Sequence, residues 1–247
     1  TLKILNDLAG LKISEIASGT KVFDWTVPNE WHIHDAWVKD SSGNKIIDFK
    51  LSNLHVMSYS CPINKKISFE DLKKHLHYLE TMPNAIPYKT SYYKKDWAFC
   101  ISYNDYKEMK QDEIYEVYID SGFNEKGSLT YAEAEKKGTS GKSFLISTYM
   151  CHPSLANDNL SGLLLSVLLF KAIEKMETRH TYRLLIAPET IGVISYLYQK
   201  GNEIKDFTGG YIPTCVAGPG KFGYKSSFVR DSEVDQAAKY ALQDEEF

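Results

Sequence analysis

Long apolar runs are absent from this sequence. The longest one, Leu163 to Phe170, is interrupted by Ser166, whereas a bilayer span needs about 20 consecutive apolar residues. No charged and then apolar leader opens the chain either. We therefore expect a cytoplasmic protein with no membrane partner.

A strong charge of either sign is also absent. The chain has 29 Lys and Arg against 32 Asp and Glu, a formal net charge of -3, and no basic stretch longer than a few residues. Nucleic-acid binding depends on clustered positive charge. This composition argues against nucleic acid as a main partner.

Cysteines are few and show no paired spacing. They stand at positions 61, 100, 151 and 215. This pattern favours reduced thiols in a cytoplasmic protein over a disulfide framework, although one or two bridges remain the alternative.

Two kinds of sequence pattern follow one another along the 247 residues. Apolar residues recur at helical intervals from Leu2 to Ser18, which predicts an opening helix. Aromatic and β-branched residues broken by turn residues then predict a mostly β segment. We expect residues 21–135 to form this inserted β-rich domain.

Strand and helix patterns alternate beyond Gly141. This alternation predicts an α/β core made of residues 1–20 and 136–247, with a mostly parallel sheet and helices on both faces. The predicted elements are strands at Ser143–Met150, Tyr182–Ala187 and Gly210–Val216, and helices at Asp158–Met176, Ile191–Lys200 and Glu233–Gln243.

Three candidate functional side chains follow two of these strands. His152 and Asp158 come after the first, and Glu189 comes after the second. Ligands gather at the carboxyl ends of parallel strands. Imidazole and carboxylate are zinc ligands, and a carboxylate beside a metal can take a proton from its bound water. Each residue also has an ordinary structural alternative, such as an Asp that caps a helix.

Two weaker signals compete with this site. His32 and His34 lie on one face of a predicted strand, a spacing found in other zinc enzymes. Cys151 adjoins His152, but neighbouring residues of a strand point to opposite faces, which disfavours a thiol and imidazole pair. Three of the four Trp, at positions 25, 31 and 37, lie near the start of the inserted segment, which also holds many of the Tyr. These rings form either an aromatic wall or ordinary packing.

Two strings carry a resemblance to a known family. His-Pro-Ser-Leu-Ala-Asn-Asp-Asn-Leu-Ser-Gly at 152–162 and Ala-Pro-Glu-Thr-Ile-Gly at 187–192 resemble zinc aminopeptidases of the bacterial leucyl type. The chain is still more similar to uncharacterised aminopeptidase-like proteins associated with polysaccharide biosynthesis. That similarity also takes in segments 23–31, 54–60, 86–88 and 97–100.

The resemblance implies a role for each candidate. His152 would bind one zinc, Asp158 would bridge two, and Glu189 would be the general base. Thr190 stands where a second Glu is expected, and Tyr211–Cys215 lacks an expected Asp. The last metal-binding His would lie beyond Phe247.

Two function classes follow from the resemblance. The first is a zinc-dependent hydrolase, with one or two ions, that cleaves a peptide or related amide; the second is a degenerate scaffold with a binding or regulatory role in polysaccharide biosynthesis. A homo-oligomer is compatible with either.

Overall fold

The computed structural model describes residues 1–91, 94–150, 152–154 and 156–243. None of the helices in these ranges is both long and apolar enough to cross a membrane. The helices are α1 Leu2–Ala9, α2 Phe69–Leu72, α3 Tyr103–Lys107, α4 Gly162–Glu174, α5 Ile191–Lys200 and α6 Glu233–Ala241. The strands are β1 Lys12–Ala17, β2 Lys21–Val22, β3 Trp25–Thr26, β4 Glu30–Lys39, β5 Lys45–Asp48, β6 Ile63–Ser68, β7 Leu76–His77, β8 Phe99–Cys100, β9 Ile114–Asn124, β10 Ser128–Lys136, β11 Ser143–Met150, β12 Thr181–Pro188 and β13 Phe207–Tyr211.

The chain divides into two compact units. Unit 1 consists of Thr1–Val27, Ser128–Cys151 and Leu155–Phe247, and unit 2 of Pro28–Gly127 and His152–Ser154. The sequence predicts boundaries after residues 20 and 135. In the structure β2, β3 and β10 therefore belong to unit 1 and not to the inserted segment.

Unit 1 contains a five-stranded mixed sheet. Its strand order is β1-β10-β12-β11-β13. β11 is parallel to both β12 and β13, whereas β10 is antiparallel to both β1 and β12. The prediction of a mostly parallel sheet is therefore wrong, because the sequence analysis assigned neither β1 nor β10 to this sheet.

Gly10 explains the missed strand β1. The predicted helix from Leu2 to Ser18 ends at Ala9, since Gly10 adopts the left-handed conformation (φ 56°, ψ 45°) and its N–H donates to the Asn6 carbonyl at 2.9 Å. Glycine takes this conformation at little cost and commonly ends helices. The residues after it pair with β10 instead.

Helices cover both faces of this sheet, as predicted. On one face Leu184 and Ile186 pack in a core that includes Phe170 of α4. On the other face Leu185 packs in a core that includes Tyr196 of α5. Successive residues of β12 thus face opposite cores, which is why its buried part, residues 184–187, is continuously apolar.

Unit 2 is built on a four-stranded antiparallel sheet. Its order is β5-β4-β9-β6, and its core includes Leu72, Phe99 and Tyr115. The register between β4 and β9 shifts between Ile33 and Asp35, which is the two-against-one pattern of a β-bulge.

Asp235 holds the loop that precedes α6. Its buried carboxylate accepts hydrogen bonds from the side chains of Tyr224, Ser227 and Ser232 at 2.5–2.6 Å, and from the N–H groups of Ser227 and Ser232 at 2.8 and 2.9 Å. Hydrogen bonds from Ser227, then Ser232, then Tyr224 hold the pKa of Asp235 well below its ordinary value. The ionised carboxylate therefore stabilises this loop.

Replacement of Asp235 by Asn should give a pH-dependent loss of stability. The folded-state pKa lies below the unfolded value of about 3.9, so the stabilisation is fully present above that pH and is lost as the pH falls towards the folded-state pKa. We expect urea unfolding to show a lower free energy of unfolding for Asp235→Asn than for wild type at pH 7, and a smaller difference between the two at pH 3. Exposed Asp206→Asn is the control; a gap of equal size at both pH values would contradict the assignment.

Candidate functional site

Asp158 and Glu189 follow neighbouring parallel strands of unit 1. The last residues of β11 and β12, Met150 and Pro188, are paired in register. Glu189 comes directly after β12 and is exposed. Asp158 is also exposed and lies in the wide turn Asn157–Ser161 that leads into α4. Both carboxylates thus lie in the loops at the carboxyl ends of parallel strands, where ligands of α/β sheets bind.

The Asp158 carboxylate is hydrogen-bonded to a tyrosine. The Tyr149 hydroxyl donates to its Oδ1 at 2.6 Å and lies 2.7 Å from Oγ1 of Thr214. Burial, followed by the hydrogen bond to Asp158, raises the pKa of Tyr149 to about 12. The residue that precedes α4 as its N-cap is Ser161, so Asp158 is not the cap of this helix. The peptide bond between Asp158 and Asn159 is cis.

Asn159 fastens the loop after β13 to the start of α4. Its buried side-chain amide donates to Thr148 Oγ1 at 3.1 Å and to the Pro213 carbonyl at 3.3 Å, and its Oδ1 accepts from the Cys215 N–H at 3.1 Å. The position of Thr214, between these two attachment points, is set by this side chain.

Asn157 and Ser161 extend the same attachment. The Val216 N–H donates to Ser161 Oγ at 3.0 Å, and the Ala217 N–H donates to Asn157 Oδ1 at 2.9 Å. A Cβ added at Gly162 would overlap the Pro213 carbonyl oxygen. In the segment 157–162, the side chains of Asn157, Asn159 and Ser161 thus hold the backbone of the loop after β13, and Gly162 makes room for it. Asp158 takes no part in this attachment.

Glu189 is followed by a strained turn. Thr190 has φ 57° and ψ -67°, and the Ile191 N–H donates to the Glu189 carbonyl at 2.6 Å. This is a γ-turn with positive φ, a rare and strained form, and such conformations cost about 1–3 kcal/mol. The turn sets the direction in which the chain leaves Glu189 before α5 begins.

His152 is grouped with unit 2. Its ring stacks on Tyr88, with centroids 3.6 Å apart and planes 16° from parallel, and Ser154 donates to Asn53 Oδ1. His152 Nδ1 lies 2.8 Å from the Pro153 carbonyl. Because a carbonyl only accepts, this contact needs the proton on Nδ1, and in that neutral tautomer Nε2 has the lone pair that a metal ion requires.

The donor set fits zinc in kind but is incomplete. Imidazole nitrogen and carboxylate oxygen are both zinc ligands, and a catalytic zinc has three protein ligands. Within the described ranges, no three or more His, Cys, Asp or Glu side chains are arranged to hold a metal ion. His152 in unit 2 and Asp158 in unit 1 each carry a donor atom of a kind that zinc accepts.

The competing signals do not form a site in the described residues. The rings of His32 and His34 have centroids 5.2 Å apart, and both residues are exposed. Among the described residues no third His, Cys, Asp or Glu side chain completes a metal site with them. Trp31 donates to the Ser60 carbonyl at 3.0 Å, and Trp37 stacks on Tyr118, so both take part in packing.

The cysteines show no bridge where the structure describes them. Cys61, Cys100 and Cys215 are free thiols. Burial raises the pKa of the Cys100 thiol to about 12, which keeps it unreactive at neutral pH. Cys151, whose thiol is the alternative nucleophile in the sequence analysis, lies outside the described residues, as does Leu155.

Tyr149 and Thr214 were missed by the sequence analysis. Tyr149 was assigned only to a buried strand, and Thr214 only to a segment that lacks an Asp. The period-two alternation of strands offered a partial signal, since Thr148 is buried and Tyr149 must then point to the opposite face. No local pattern pairs it with a residue 65 positions away.

Sequence comparisons give a family and a long relative. The family model described as "Domain of unknown function (DUF4910)" matches residues 1–247. A Clostridium acetobutylicum protein, named provisionally for polysaccharide biosynthesis and for an aminopeptidase-like domain, is 46% identical over 242 residues, which are 98% of this chain and 55% of that protein. The chain therefore spans a little more than half the length of this relative.

Structure comparisons agree on the fold. A crystal structure from Clostridium acetobutylicum, described provisionally as a peptidase, matches with a TM-score of 0.93 at 45% identity over 98% of this chain and 57% of that one. A zinc aminopeptidase from Bacillus subtilis matches with a TM-score of 0.64 at 11% identity, over 98% and 69%. A peptidase M28 precursor from Shewanella amazonensis matches with 0.60 at 12%, over 98% and 70%. The fold is aminopeptidase-like.

Proposed function

This chain belongs to the DUF4910 family, and from that membership and its aminopeptidase-like fold we propose that it forms part of a zinc-dependent hydrolase of peptide or related amide bonds. The observation that carries the proposal is the placement of Asp158 and Glu189 after adjacent, in-register strands β11 and β12. Zinc aminopeptidases are among the proteins that share the fold.

His152 and Asp158 are the proposed zinc ligands. His152 offers Nε2, because its Nδ1 proton is directed at the Pro153 carbonyl. Asp158 offers carboxylate oxygen and is held by Tyr149. A zinc ion held by these residues would supply Lewis-acid chemistry for the scissile carbonyl and would lower the pKa of a water molecule towards neutrality.

Glu189 is the proposed general base. It is exposed and comes directly after β12, whose last residue, Pro188, is paired with Met150 at the end of β11. Glu189 accepts a proton from the attacking water and passes it to the leaving amine. The proposed substrate is a peptide or another amide with a free amino end.

A binding scaffold is the second candidate function. Thr190 occupies the position where the resemblance expects a zinc-ligating Glu, and a hydroxyl is not among the usual zinc ligands. The name of the Clostridium acetobutylicum relative refers to polysaccharide biosynthesis. In this alternative the chain keeps the fold and serves that process by binding without hydrolysis.

Metal content decides between these candidates. We expect the full-length protein, purified without chelator, to contain stoichiometric zinc, and the variants His152→Ala and Asp158→Ala to lose it. Mass spectrometry measures the number of zinc ions per chain directly. His180→Ala is the matched control, because its ring contacts Ser140 and Phe144 elsewhere in unit 1. A wild type that takes up no zinc would overturn the hydrolase proposal in favour of the scaffold.

A further inference from the structure

One face of the His152 imidazole is covered by a tyrosine of unit 2. The ring of Tyr88 stacks on it, with centroids 3.6 Å apart and planes 16° from parallel. At this separation the two ring faces are in van der Waals contact. Tyr88 belongs to the segment 86–88, which carries part of the family resemblance and has no role in the proposed hydrolysis. The stacking contact provides a role for it.

The backbone on both sides of Tyr88 is attached to unit 2. After it, the Ser58 N–H donates to the Lys89 carbonyl at 2.9 Å, and the Ser91 N–H donates to the Ser58 carbonyl at 3.0 Å. Before it, Pro87 is buried, and the proline ring restricts φ to a narrow range. Tyr88 therefore presents its ring from a backbone whose position the fold of unit 2 determines.

The short segment that carries His152 has a second attachment to unit 2. The Ser154 hydroxyl donates to Asn53 Oδ1. Asn53 begins a single turn of 3-10 helix that ends at His55. The His55 ring is buried, and its Nδ1 lies 2.8 Å from the Cys100 carbonyl oxygen. The segment is thus held to unit 2 at both of its ends, by ring stacking at His152 and by a hydrogen bond at Ser154.

The two contacts of the His152 ring determine different features of it. The Pro153 carbonyl, 2.8 Å from Nδ1, needs the proton on that nitrogen and so selects the tautomer, whereas the stack on Tyr88 sets the plane of the ring. The lone pair of Nε2 lies in that plane, so a tyrosine on the face of the ring does not obstruct it. We infer that Tyr88 is a positioning residue for His152, which holds the imidazole in the orientation in which Nε2 binds zinc. This inference rests on the proposed function.

Calorimetric titration of the chelator-treated, full-length protein with zinc tests this role of Tyr88. We expect Tyr88→Leu to bind zinc roughly 10-fold more weakly than wild type, at the lower end of the usual effect of removing a residue that orients a metal ligand. Tyr88→Phe keeps the stacking ring and should bind zinc as wild type does. Tyr118→Leu is the matched control, because it removes a ring that stacks on Trp37 in unit 2 with centroids 5.1 Å apart, and should leave the affinity unchanged.

Two spectroscopic measurements separate orientation of the ring from general stability. In the metal-free protein, the ring current of Tyr88 shifts the proton NMR signals of the His152 ring to higher field, and we expect this shift to be lost in Tyr88→Leu and kept in Tyr88→Phe. The visible absorption of bound Co²⁺ reports its ligand geometry, and we expect it to change in Tyr88→Leu and to stay as in wild type in Tyr118→Leu.

The outcomes distinguish this inference from the function on which it rests. If the wild type binds zinc and Tyr88→Leu binds it equally well, Tyr88 does not position His152 and the proposed hydrolase still stands. Equal losses of affinity in Tyr88→Leu and Tyr118→Leu, or in Tyr88→Leu and Tyr88→Phe, would also overturn the inference. No zinc in the wild type would overturn the proposed function, and this inference with it.

Discussion

Replacement of Glu189 by Gln is expected to reduce amide hydrolysis by about 10²- to 10⁴-fold, the usual contribution of a general base. The amide has nearly the same shape as the carboxylate but cannot accept a proton from water. Glu189 is not a proposed zinc ligand, so zinc content should stay at the wild-type level. The measurement is kcat on an aminoacyl anilide, with metal content determined on the same preparation.

A matched charge change elsewhere controls for this effect. Glu174 is exposed near the end of α4, and Glu174→Gln makes the same chemical change away from the carboxyl edge of the sheet. We expect it to retain wild-type kcat. If Glu189→Gln were as active as Glu174→Gln, the assignment of Glu189 as the base would be wrong.

Replacement of Gly162 by Ala is expected to destabilise the protein, although helix propensity predicts the opposite. Alanine in a helix is favoured over glycine by about 1 kcal/mol. At Gly162, however, the added Cβ would overlap the Pro213 carbonyl oxygen and crowd Asn159 Oδ1. Backbone must shift to accommodate it, and overpacking of this kind costs about 1–3 kcal/mol. Urea unfolding gives the change in the free energy of unfolding.

Gly141 provides the comparison for this steric effect. It is exposed, and a Cβ at that position would meet no atom within 4 Å. We expect Gly141→Ala to change stability by no more than about 0.5 kcal/mol. Equal stability of the two variants would show that the loop after β13 does not press against the start of α4. Because that loop carries Thr214, Gly162→Ala should also weaken zinc binding.

The elements of the second half were predictable because their patterns are local. The bounds of β11 and α5, Ser143–Met150 and Ile191–Lys200, agree with the prediction, since a buried apolar strand and a helix each have a recognisable period. The predicted strand Gly210–Val216 lies instead at Phe207–Tyr211. Its last residues belong to the loop that Asn159 holds, and nothing in their own sequence indicates that contact.

The two antiparallel strands of the sheet, β1 and β10, were not predictable in the same way. β1 begins two positions after Gly10, and its apolar residues also fit a helical interval. β10 pairs with β12, about 50 positions later in the chain. Pairing between strands so far apart depends on the completed sheet, so the sequence predicted a mostly parallel sheet where the structure has a mixed one.

The sequence by itself determined the alternation of strands and helices, the family resemblance and the candidates His152, Asp158 and Glu189, because each depends on residues close together in the chain. The tertiary structure alone decided what surrounds Asp158. Tyr149 and Thr214 are 65 positions apart, and Asn159 and Cys215 are 56 apart. Hydrogen bonds over such separations form only when the sheet brings β11, the turn before α4 and the loop after β13 to one edge. No local sequence pattern predicts that these three segments come together.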